Sequence, residues 1–577
     1  MLRRWYSKLF PGPAPDAAGI NEKGIAVWQG GNLPEAEALF RQALALEPDH
    51  APSSSNLGMV LFGQGKLEEA LASLRRAVEL DPVHVGARAN LGGVLHRMQW
   101  VEESLIHFRE ALRLAGDNSH LLASSLRPLM DACAWDEVLG RIEKLKRDAR
   151  NDTQDWAGQI MPFVSLLLPL SEALQLRIAR RHAAMIEERA RMLPGPAQHG
   201  RVIGKLRIGY VSSDFHDHAT AYLVTGMFEA HDRQRFEIFA YSSGPDSQDS
   251  SYRRRIRACS KFVDIRTMTD AASAERIAAD GIDILVDMNG HTAGGRLDLF
   301  ALRPAPVQVA FLGYPGTTGA SFIDYLIADG IITPPGCEAG YSEKLVRMPH
   351  SYQPNERPAD PAVMAMGRRE AGLPDDAFVF CCFNQHFKLE PQVFRLWTRM
   401  LGAIPASVLW LIAGNPLSES RLREEAQNAG IASSRLVFAP FVAREQHLAR
   451  HRLADLCLDT HTVNGHTTGS DALLAGVPMV TWPAATFAGR VGASLLQAAG
   501  LPDLVAGSAE EYFDMAVGLA RAPKKLLDLR GRLAAAHASA PLFDAAKFAA
   551  DLEHAFVHMD ELRARGLAPR GFEVDTV

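Results

Sequence analysis

Apolar positions recur at helical spacing through the first 120 residues, and the pattern repeats with a fixed period. Three similar segments follow one another: NEKGIAVWQGGNLPEAEALFRQALALEPDH, SNLGMVLFGQGKLEEALASLRRAVELDPVH and ANLGGVLHRMQWVEESLIHFREALRLAGDN. Corresponding residues lie 34 positions apart: Gly24, Gly58 and Gly92; Phe40, Leu74 and Phe108; Ala43, Ala77 and Ala111; Leu46, Leu80 and Leu114. The periodicity predicts one helical hairpin in each period.

Small and large residues at these positions, with Pro48 and Pro82 closing the first two periods, resemble tetratricopeptide repeats. One such hairpin cannot bury its own apolar face, so we predict three stacked repeats, an α superhelix, over residues 16–120. Residues 121–204 keep helical periodicity but lose the repeat register, which predicts degenerate helices that cap the array and link it onward. Concave repeat surfaces bind peptides or proteins, and here we expect protein or peptide acceptors to be presented by the array.

After LPGPAQHG the pattern changes to short Val-, Ile- and Leu-rich runs that alternate with helical stretches. The runs are LRIGYVSS, FEIFAYSS, IDILVDMNG, VQVAFLGY, DYLIAD and KLVRMP, then FVFCCFNQ, SVLWLIAG, RLVFAPF, DLCLDT and PMVTWP. This alternation predicts parallel, doubly wound α/β sheets. We therefore predict two Rossmann-like halves, residues 205–355 and 356–577, with a cleft between them and C-terminal helices in the second. Ligands should bind in the loops beyond the carboxyl ends of the strands.

Composition narrows the class of protein. With 577 residues the chain is too long for one core, and 47% hydrophobic with 22% charged residues is ordinary for a soluble protein. A net charge of −6 gives no sign of a nucleic-acid partner, and six scattered cysteines favour a reducing compartment. We expect no membrane span and a cytoplasmic protein. Residues 1–15 should form a tail, although Trp5, Tyr6 and Phe10 leave a peripheral membrane role open.

The stretch DTHTVNGHTTGSDALL carries the strongest chemical pattern. A strand is expected to end at Asp459, and a polar turn leads into a helix that starts near Gly469. Thr467 or Thr468 suits the N-cap, and the free N–H groups and dipole of the helix start favour a phosphate. Asp471, one turn further, is placed to bond a ribose or a loop amide. An ordinary capped helix is the alternative.

Two other loops after predicted strands offer positive charge. FNQHFKLEP supplies Gln385 and Lys388, and APFVAREQHLAR supplies Arg444, His447 and Arg450 at helical spacing. Each set could be a solvated surface, but together with a helix start they favour an anionic leaving group. No Asp-x-Asp motif follows a strand here, so we expect cationic side chains and amide dipoles, not a divalent metal, to stabilise a nucleoside diphosphate.

The loop SSDFHDHATAY brings Asp214, His216, Asp217 and His218 together after the first strand of the α/β region. The residues alone leave three possibilities open: metal ligands, a proton-transfer group, or a polar loop. Asp214, His216 and His218 would share one face of a continued strand. No second cluster of ligand spacing completes a metal site, which makes a metal hydrolase the weakest of the hypotheses.

Several motifs, in order from about residue 205 to 550, resemble the O-linked N-acetylglucosamine transferases, which transfer GlcNAc from UDP-GlcNAc to Ser and Thr of proteins. They are GYVSSDF, FALRPAPVQVAFLGYPGTTG, FNQ followed by Lys388, and LDT followed by NGHTTGSDALLAGVPMVT. The resemblance implies a GT-B fold and an inverting reaction that needs neither metal nor cofactor. It also implies that the FLGYPGTTGA loop lines the cleft from the first half.

Site residues follow from the same resemblance. Lys388 would stabilise the departing UDP, and Gln385 would meet its phosphates and sugar. His218 is the candidate general base for the acceptor hydroxyl, while Asp214 would fix its loop. The positions expected to hold uracil and ribose are Val442, Ala443, Arg444, His447, Arg450 and Asp471. Those expected to bind the diphosphate are His466, Thr467 and Thr468, and those expected at the rim or in solvent are His216 and Asp217.

The chain also departs from the family. Animal members have longer arrays and an extra domain between the halves, and Arg444 replaces a lysine. One alternative keeps the fold with another donor, GDP-fucose or UDP-glucose, but the histidine of GHTTG favours UDP-GlcNAc because the fucosyl branch typically lacks it. Another is a repeat scaffold with an inactive transferase domain, against which the retained Lys388, His218 and HTTG loop weigh.

Overall fold

A computed structural model describes residues 16–116, 118–151, 156–197, 204–357 and 366–576. The chain divides into two compact units, residues 1–159 with 415–421 and residues 160–414 with 422–577. The predicted tail, with Trp5, Tyr6 and Phe10, lies outside the described residues.

The first unit is helical. Its repeat helices are α1 (Ala17–Gln29), α2 (Leu33–Leu46), α3 (Ala51–Gly63), α4 (Leu67–Leu80), α5 (Val85–Arg97) and α6 (Val101–Ala115). Shorter and less regular helices follow them: α7 (Ser119–Ser124), α8 (Leu126–Asp131), α9 (Trp135–Asn151) and α10 (Trp156–Gln159). The hairpins and the degenerate helices of the prediction are therefore both present.

The 34-residue period has a direct steric cause. A Cβ atom on Gly24 would lie 2.6 Å from the Phe40 ring, and one on Gly58 would lie 2.6 Å from Leu74 Cγ. In each hairpin the first helix thus carries a glycine where a large side chain of the second helix presses against its backbone. Phe40 and Leu74 are fully buried by this contact. Close approach, not chain reversal, explains why the glycine recurs.

The second unit begins with two helices that connect to an α/β region. They are α11 (Pro162–Leu166) and α12 (Glu172–Ala190). The elements that come next are β1 (Leu206–Ser212), α13 (Ala219–Ala230), β2 (Phe236–Ser242), α14 (Ser251–Ala258), β3 (Lys261–Asp264), α15 (Asp270–Ala279), β4 (Ile284–Asp287), α16 (Leu297–Ala301), β5 (Val307–Ala310), β6 (Tyr325–Asp329) and β7 (Lys344–Met348). Strands β4, β5 and β6 are buried along their whole length, as expected for a sheet covered on both faces.

The remaining elements build a second sheet and then return to the first. They are β8 (Phe378–Cys382), α17 (Pro391–Ala403), β9 (Ser407–Ile412), α18 (Pro416–Asn428), β10 (Leu436–Ala439), α19 (Arg444–His451), β11 (Leu456–Leu458), α20 (Thr467–Leu474), β12 (Met479–Val480), α21 (Val491–Ala498), α22 (Ala509–Arg521), α23 (Pro523–Ser539), α24 (Ala545–Ala564) and β13 (Phe572–Glu573).

Two parallel sheets result among the described residues. The first has the order β13-β7-β6-β5-β4-β1-β2-β3 and the second β10-β9-β8-β11-β12. The strand order reverses between β1 and β4 in the first sheet and between β8 and β11 in the second, and ligands bind at such switch points. The loops that leave these four strands carry His218, Asn289, Lys388 and His466. Topology alone therefore concentrates the predicted chemistry at two crevices.

The C-terminal elements belong to the first sheet, although they follow the second half in sequence and the sequence grouped them with it. Strand β13 pairs with β7, and α24 packs against α13. A buried chain of hydrogen bonds fixes α24: Tyr210 Oη meets His231 Nε2 at 2.9 Å, and His231 Nδ1 meets Glu553 Oε1 at 2.8 Å. The predicted boundary at residue 356 therefore does not assign every later residue to the second half, because residues 545–573 return to the first sheet.

Helix α12 is seated on the FLGYPGTTGA loop through a glycine. A Cβ on Gly319 (φ +71°) would lie 2.3 Å from the backbone of Ala179 and of Arg180. We expect Gly319→Ala to cost about 3 kcal/mol or more, because the side chain forces α12 away and strains the backbone. The matched control is Gly336→Ala: its φ of +94° imposes the strain alone, as nothing lies within 4 Å. Thermal unfolding of both variants checks this, and equal losses would contradict it.

Candidate active site

The loop after β11 is folded back on itself by one buried carboxylate. Asp459 Oδ1 accepts hydrogen bonds from the amides of Thr460 at 2.9 Å and Gly465 at 2.6 Å. Its Oδ2 accepts from the Thr481 hydroxyl at 2.7 Å. Burial raises the pKa of the Asp459 carboxyl to about 6, although these donors and the charge of Lys388 oppose the rise. The closed loop delivers the chain to the start of α20.

The start of α20 has no side-chain cap within the described part of the chain. Its N-cap residue is His466, with φ −82° and ψ −89°, and the helix begins at Thr467. The predicted capping by Thr467 or Thr468 is therefore wrong, because the Thr468 hydroxyl donates instead to Asn384 Oδ1 at 2.5 Å. The first N–H groups of a helix have no acceptor within the helix, so this start is suited to an anion.

Lys388 meets the same loop from the neighbouring strand. It ends the 3-10 helix His386–Lys388 after β8, and its Nζ donates to the Asn464 carbonyl at 2.9 Å. Asn464 is fully buried, and its side-chain Oδ1 accepts from the Gly492 amide at 3.0 Å, which holds the residue in place. Burial and the charge of Lys388 lower the pKa of His466 to about 3. The structure thus brings the loops after β8 and β11 together, as the sequence predicted.

Arg444 and Asp471, both predicted donor residues, contact each other. Arg444 Nη2 lies 3.2 Å from Asp471 Oδ1 in an ion pair whose side chains are 13% and 7% exposed. Burial raises the pKa of the Asp471 carboxyl, and Arg444 opposes that rise. Arg444 also reaches the first half, where Nη1 donates to Tyr252 Oη at 3.1 Å and the guanidinium lies 4.6 Å from the Tyr222 ring centre.

His447 and Arg450 form a hydrogen-bonded pair on α19. Arg450 Nε donates to His447 Nδ1 at 3.0 Å, Nη1 donates to the Pro440 carbonyl, and the guanidinium lies 4.8 Å from the Phe383 ring centre. Because His447 Nδ1 accepts, the neutral ring carries its proton on Nε2 and can donate from there. Arg450 is 3% exposed, so it holds the loop before α19 in place.

The other predicted donor residues lie nearer the surface. Gln385 precedes the Lys388 turn and is exposed, as is Ala443, while Val442 is half-buried. These three are open to a ligand, and the carbonyls of Gln385 and Ala443 accept from the amides of Lys388 and His447 at 2.9 Å each, so these two residues also start the helical turns that follow them. Their assigned roles stay predictions.

His218 is the N-cap of α13. Its Nδ1 accepts from the Thr220 amide at 3.3 Å and lies 3.5 Å from Asp214 Oδ2, and its side chain is 45% exposed. In the tautomer that caps the helix, Nε2 carries the proton of the neutral ring. To accept a proton at Nε2, the imidazole must release this cap and turn its Nδ1–H to Asp214. The loop is therefore built for positioning at least as much as for proton transfer.

Asp214 fixes this loop, as expected. It accepts from the Ser213 hydroxyl at 2.8 Å and from Asn289 Nδ2 at 2.7 Å, which ties the loop after β1 to the loop after β4. Asp217 is exposed but accepts from the Ser250 hydroxyl at 2.8 Å. His216 is half-buried, and burial lowers its pKa.

These four residues do not make a metal site. Nowhere in the described ranges do three or more His, Cys, Asp or Glu side chains form a group that could hold a metal ion. The metal-hydrolase hypothesis therefore loses the ligand set on which it depended. Metal independence of the reaction itself stays a prediction.

Polar residues for which the sequence predicts no role also support the site. The FLGYPGTTGA loop is held by buried Glu343, which accepts from Thr317 Oγ1 and the Thr318 amide at 2.7 Å each. Asn384 and Asn289 bind the loops at the two switch points. A usable signal existed for both asparagines, because each follows a buried strand by two residues in CCFN and VDMN. Glu343 has no such signal, since it contacts residues 25 and 26 positions away.

The buried histidines of the site predict a pH dependence of stability. Burial holds the pKa of His466 at about 3 and that of His447 at about 2. Below about pH 6.5 these two histidines bind protons in the unfolded chain but not in the folded one. The stability that they contribute is therefore complete above that pH and is lost on acidification. We expect the unfolding temperature to fall between pH 7 and pH 5.

The variant His466→Gln should lose less over that range than the unchanged chain. Asp459, with its pKa raised to about 6, opposes the trend because it favours the folded chain when protonated. The difference in this fall between His466→Gln and the unchanged chain gives the contribution of His466. The matched control is His554→Gln, at an exposed position. A fall of equal size in His466→Gln and the unchanged chain would contradict the assignment.

Comparison with known proteins identifies the family. Residues 132–357 and 354–552 match glycosyl transferase family 41, and residues 21–82 and 55–119 match the tetratricopeptide repeat. The chain belongs to glycosyl transferase family 41. The predicted family and fold class, a repeat array followed by two parallel α/β sheets, are confirmed.

Relatives of this family 41 protein carry informative names. It is 36% identical over 469 residues to a probable UDP-N-acetylglucosamine–peptide N-acetylglucosaminyltransferase of Arabidopsis thaliana, covering 78% of this chain and 48% of that one. It is 31% identical to the corresponding transferase of Caenorhabditis elegans, covering 73% and 47%. The chain thus spans about half the length of these curated relatives.

A solved structure extends the likeness over nearly the whole chain. An O-GlcNAc transferase variant from Thermobaculum terrenum is 32% identical, with a TM-score of 0.69, and the match covers 96% of this chain and 100% of that one. Within the described residues, no helix of the family 41 protein is both long and apolar enough to cross a membrane.

Proposed function

We propose that this chain transfers N-acetylglucosamine from UDP-GlcNAc to Ser and Thr hydroxyls of proteins, by inversion and without a metal ion. One observation carries the proposal: Lys388 contacts the same loop that ends at the uncapped start of α20. A cation and free amides there supply the charge that a departing diphosphate needs. The names of the relatives supply the sugar, the nucleotide and the acceptor.

Each predicted site residue of the second half then has a role in binding the donor. Lys388 and the first amides of α20 bind the diphosphate, with His466, Thr467 and Thr468 forming that turn. Asp471 and Arg444 bind the ribose edge, and His447, held by Arg450, offers Nε2–H to the base. Val442, Ala443 and Gln385 complete the donor pocket from the surface side.

The acceptor approaches from the first half. His218 faces the acceptor hydroxyl, and its helix cap makes it a positioning residue in one tautomer and a base in the other. Protein acceptors are presented by the repeat array. The scattered spacing of the six cysteines supports a reducing, cytoplasmic compartment.

Two measurements test the proposal. Incubation with labelled UDP-GlcNAc, with and without cell lysate, should release UDP and label protein, and full labelling in excess EDTA should show metal independence. UDP, but not GDP, should raise the unfolding temperature. Stabilisation by GDP alone would assign the donor to a guanine nucleotide sugar instead, and UDP binding without any transfer would favour an inactive scaffold.

A further inference from the structure

Arg444 joins the two halves in a way that the donor-site assignment does not require. It pairs with Asp471 on α20, donates to Tyr252 on α14 and lies over Tyr222 on α13. The two tyrosine rings are in contact, with centres 4.7 Å apart. One guanidinium of the second half therefore sits in a cradle made by the first half.

The cradle leaves the guanidinium incompletely satisfied. Arg444 Nε is buried and has no hydrogen-bond partner within the described structure. An orphaned, buried N–H of a charged group is costly, and it is relieved when an acceptor oxygen arrives. The Arg444 side chain is 13% exposed, so a ligand can reach it only through a narrow opening. This opening lies beside Asp471.

We propose that Tyr222 and Tyr252 are positioning residues for the nucleotide, which hold the Arg444 guanidinium so that it donates to a ribose or phosphate oxygen when the nucleotide takes its place at Asp471. This inference rests on the proposed function. The tyrosines keep the cation in place while its bond to Asp471 is exchanged for bonds to the ligand. Nucleotide binding in the second half thereby depends on two side chains of the first.

The geometry also accounts for arginine at this position. A planar guanidinium can donate to Tyr252 and Asp471 from two nitrogens while its face lies on the Tyr222 ring. An ammonium group has no such plane. The arginine and the two tyrosines are thus one unit of recognition.

A double-mutant cycle tests the inference, with UDP affinity measured by calorimetry on the full chain. Tyr252→Phe removes one oxygen atom, and Tyr222→Leu removes the ring. Each should weaken UDP binding roughly three- to tenfold, the value of one hydrogen bond or one cation–ring contact. In an Arg444→Ala background the same changes should have less than about a twofold effect, since the residue through which they act is gone.

Tyr241→Phe is the matched control, because it also removes one hydrogen bond of a tyrosine hydroxyl, here the bond donated to Asp280 at 2.9 Å, elsewhere in the first half. It should leave UDP affinity unchanged. Equal losses with and without Arg444, or no loss in either, would overturn the inference. Failure of the unchanged chain to bind UDP would instead overturn the proposed function. Should Tyr222→Leu not fold, Tyr252→Phe completes the cycle alone.

Discussion

Replacing Lys388 by alanine is expected to reduce the rate of sugar transfer by about 10²- to 10³-fold, the usual cost of one lost transition-state donor. The loss should fall on kcat, because the charge of Lys388 matters most when the diphosphate departs. Its Nζ lies on the Asn464 carbonyl, at the loop that leads into α20. Initial rates with labelled UDP-GlcNAc measure the effect.

The fold should tolerate the change, since Asn464 is also held by the Gly492 amide. Thermal unfolding of Lys388→Ala should therefore stay close to that of the unchanged chain. Lys525→Ala, at an exposed position of the same half, is the matched control and should keep full activity. Unchanged transfer by Lys388→Ala would refute its role.

Gly465→Ala is expected to weaken UDP binding roughly tenfold or more, because the added methyl group occupies the space in front of the helix start. The new Cβ would lie 2.8 Å from Thr468 Oγ1 and 3.0 Å from the Gly469 amide nitrogen. That amide belongs to the first turn of α20, where we place the diphosphate. Calorimetric titration with UDP measures the loss.

The φ of Gly465 is outside the left-handed region, so alanine adds no strain of the backbone dihedrals there and acts through its methyl group. Gly518→Ala, on α22 with nothing within 4 Å of the new methyl, controls for the substitution itself. It should bind UDP as the unchanged chain does. Full UDP affinity in Gly465→Ala would remove the helix start from the binding site.

Local patterns predicted most of the architecture. The 34-residue period is visible because each glycine must admit one large side chain, as Gly24 admits Phe40. The strands are visible because both faces of the sheets are buried, so their sequences are continuously apolar. The return of α24 and β13 to the first sheet was not predictable in this way. It depends on pairs such as His231 and Glu553, which are 322 positions apart.

The position of a candidate residue was predictable where it follows a strand end, as at Lys388 and His466, while their roles stay predictions. The hydrogen-bond partner of a side chain was not predictable where several partners were within reach of its loop. Thr468 could cap α20 by its sequence position, yet its hydroxyl binds Asn384. Arg444 could face solvent, yet Tyr222 and Tyr252 hold it from the other half. Such choices depend on distances between loops that no single stretch of sequence contains.

The return of the chain to the first sheet has a consequence for biosynthesis. Strand β13 and helix α24 are made after the whole second sheet, but they complete a layer whose first strand is made near residue 206. The second sheet takes its five strands from a continuous segment, whereas the first sheet gains its edge strand β13 only after residue 573 has been synthesised. We therefore expect the second half to become resistant to protease on the ribosome before the first half does.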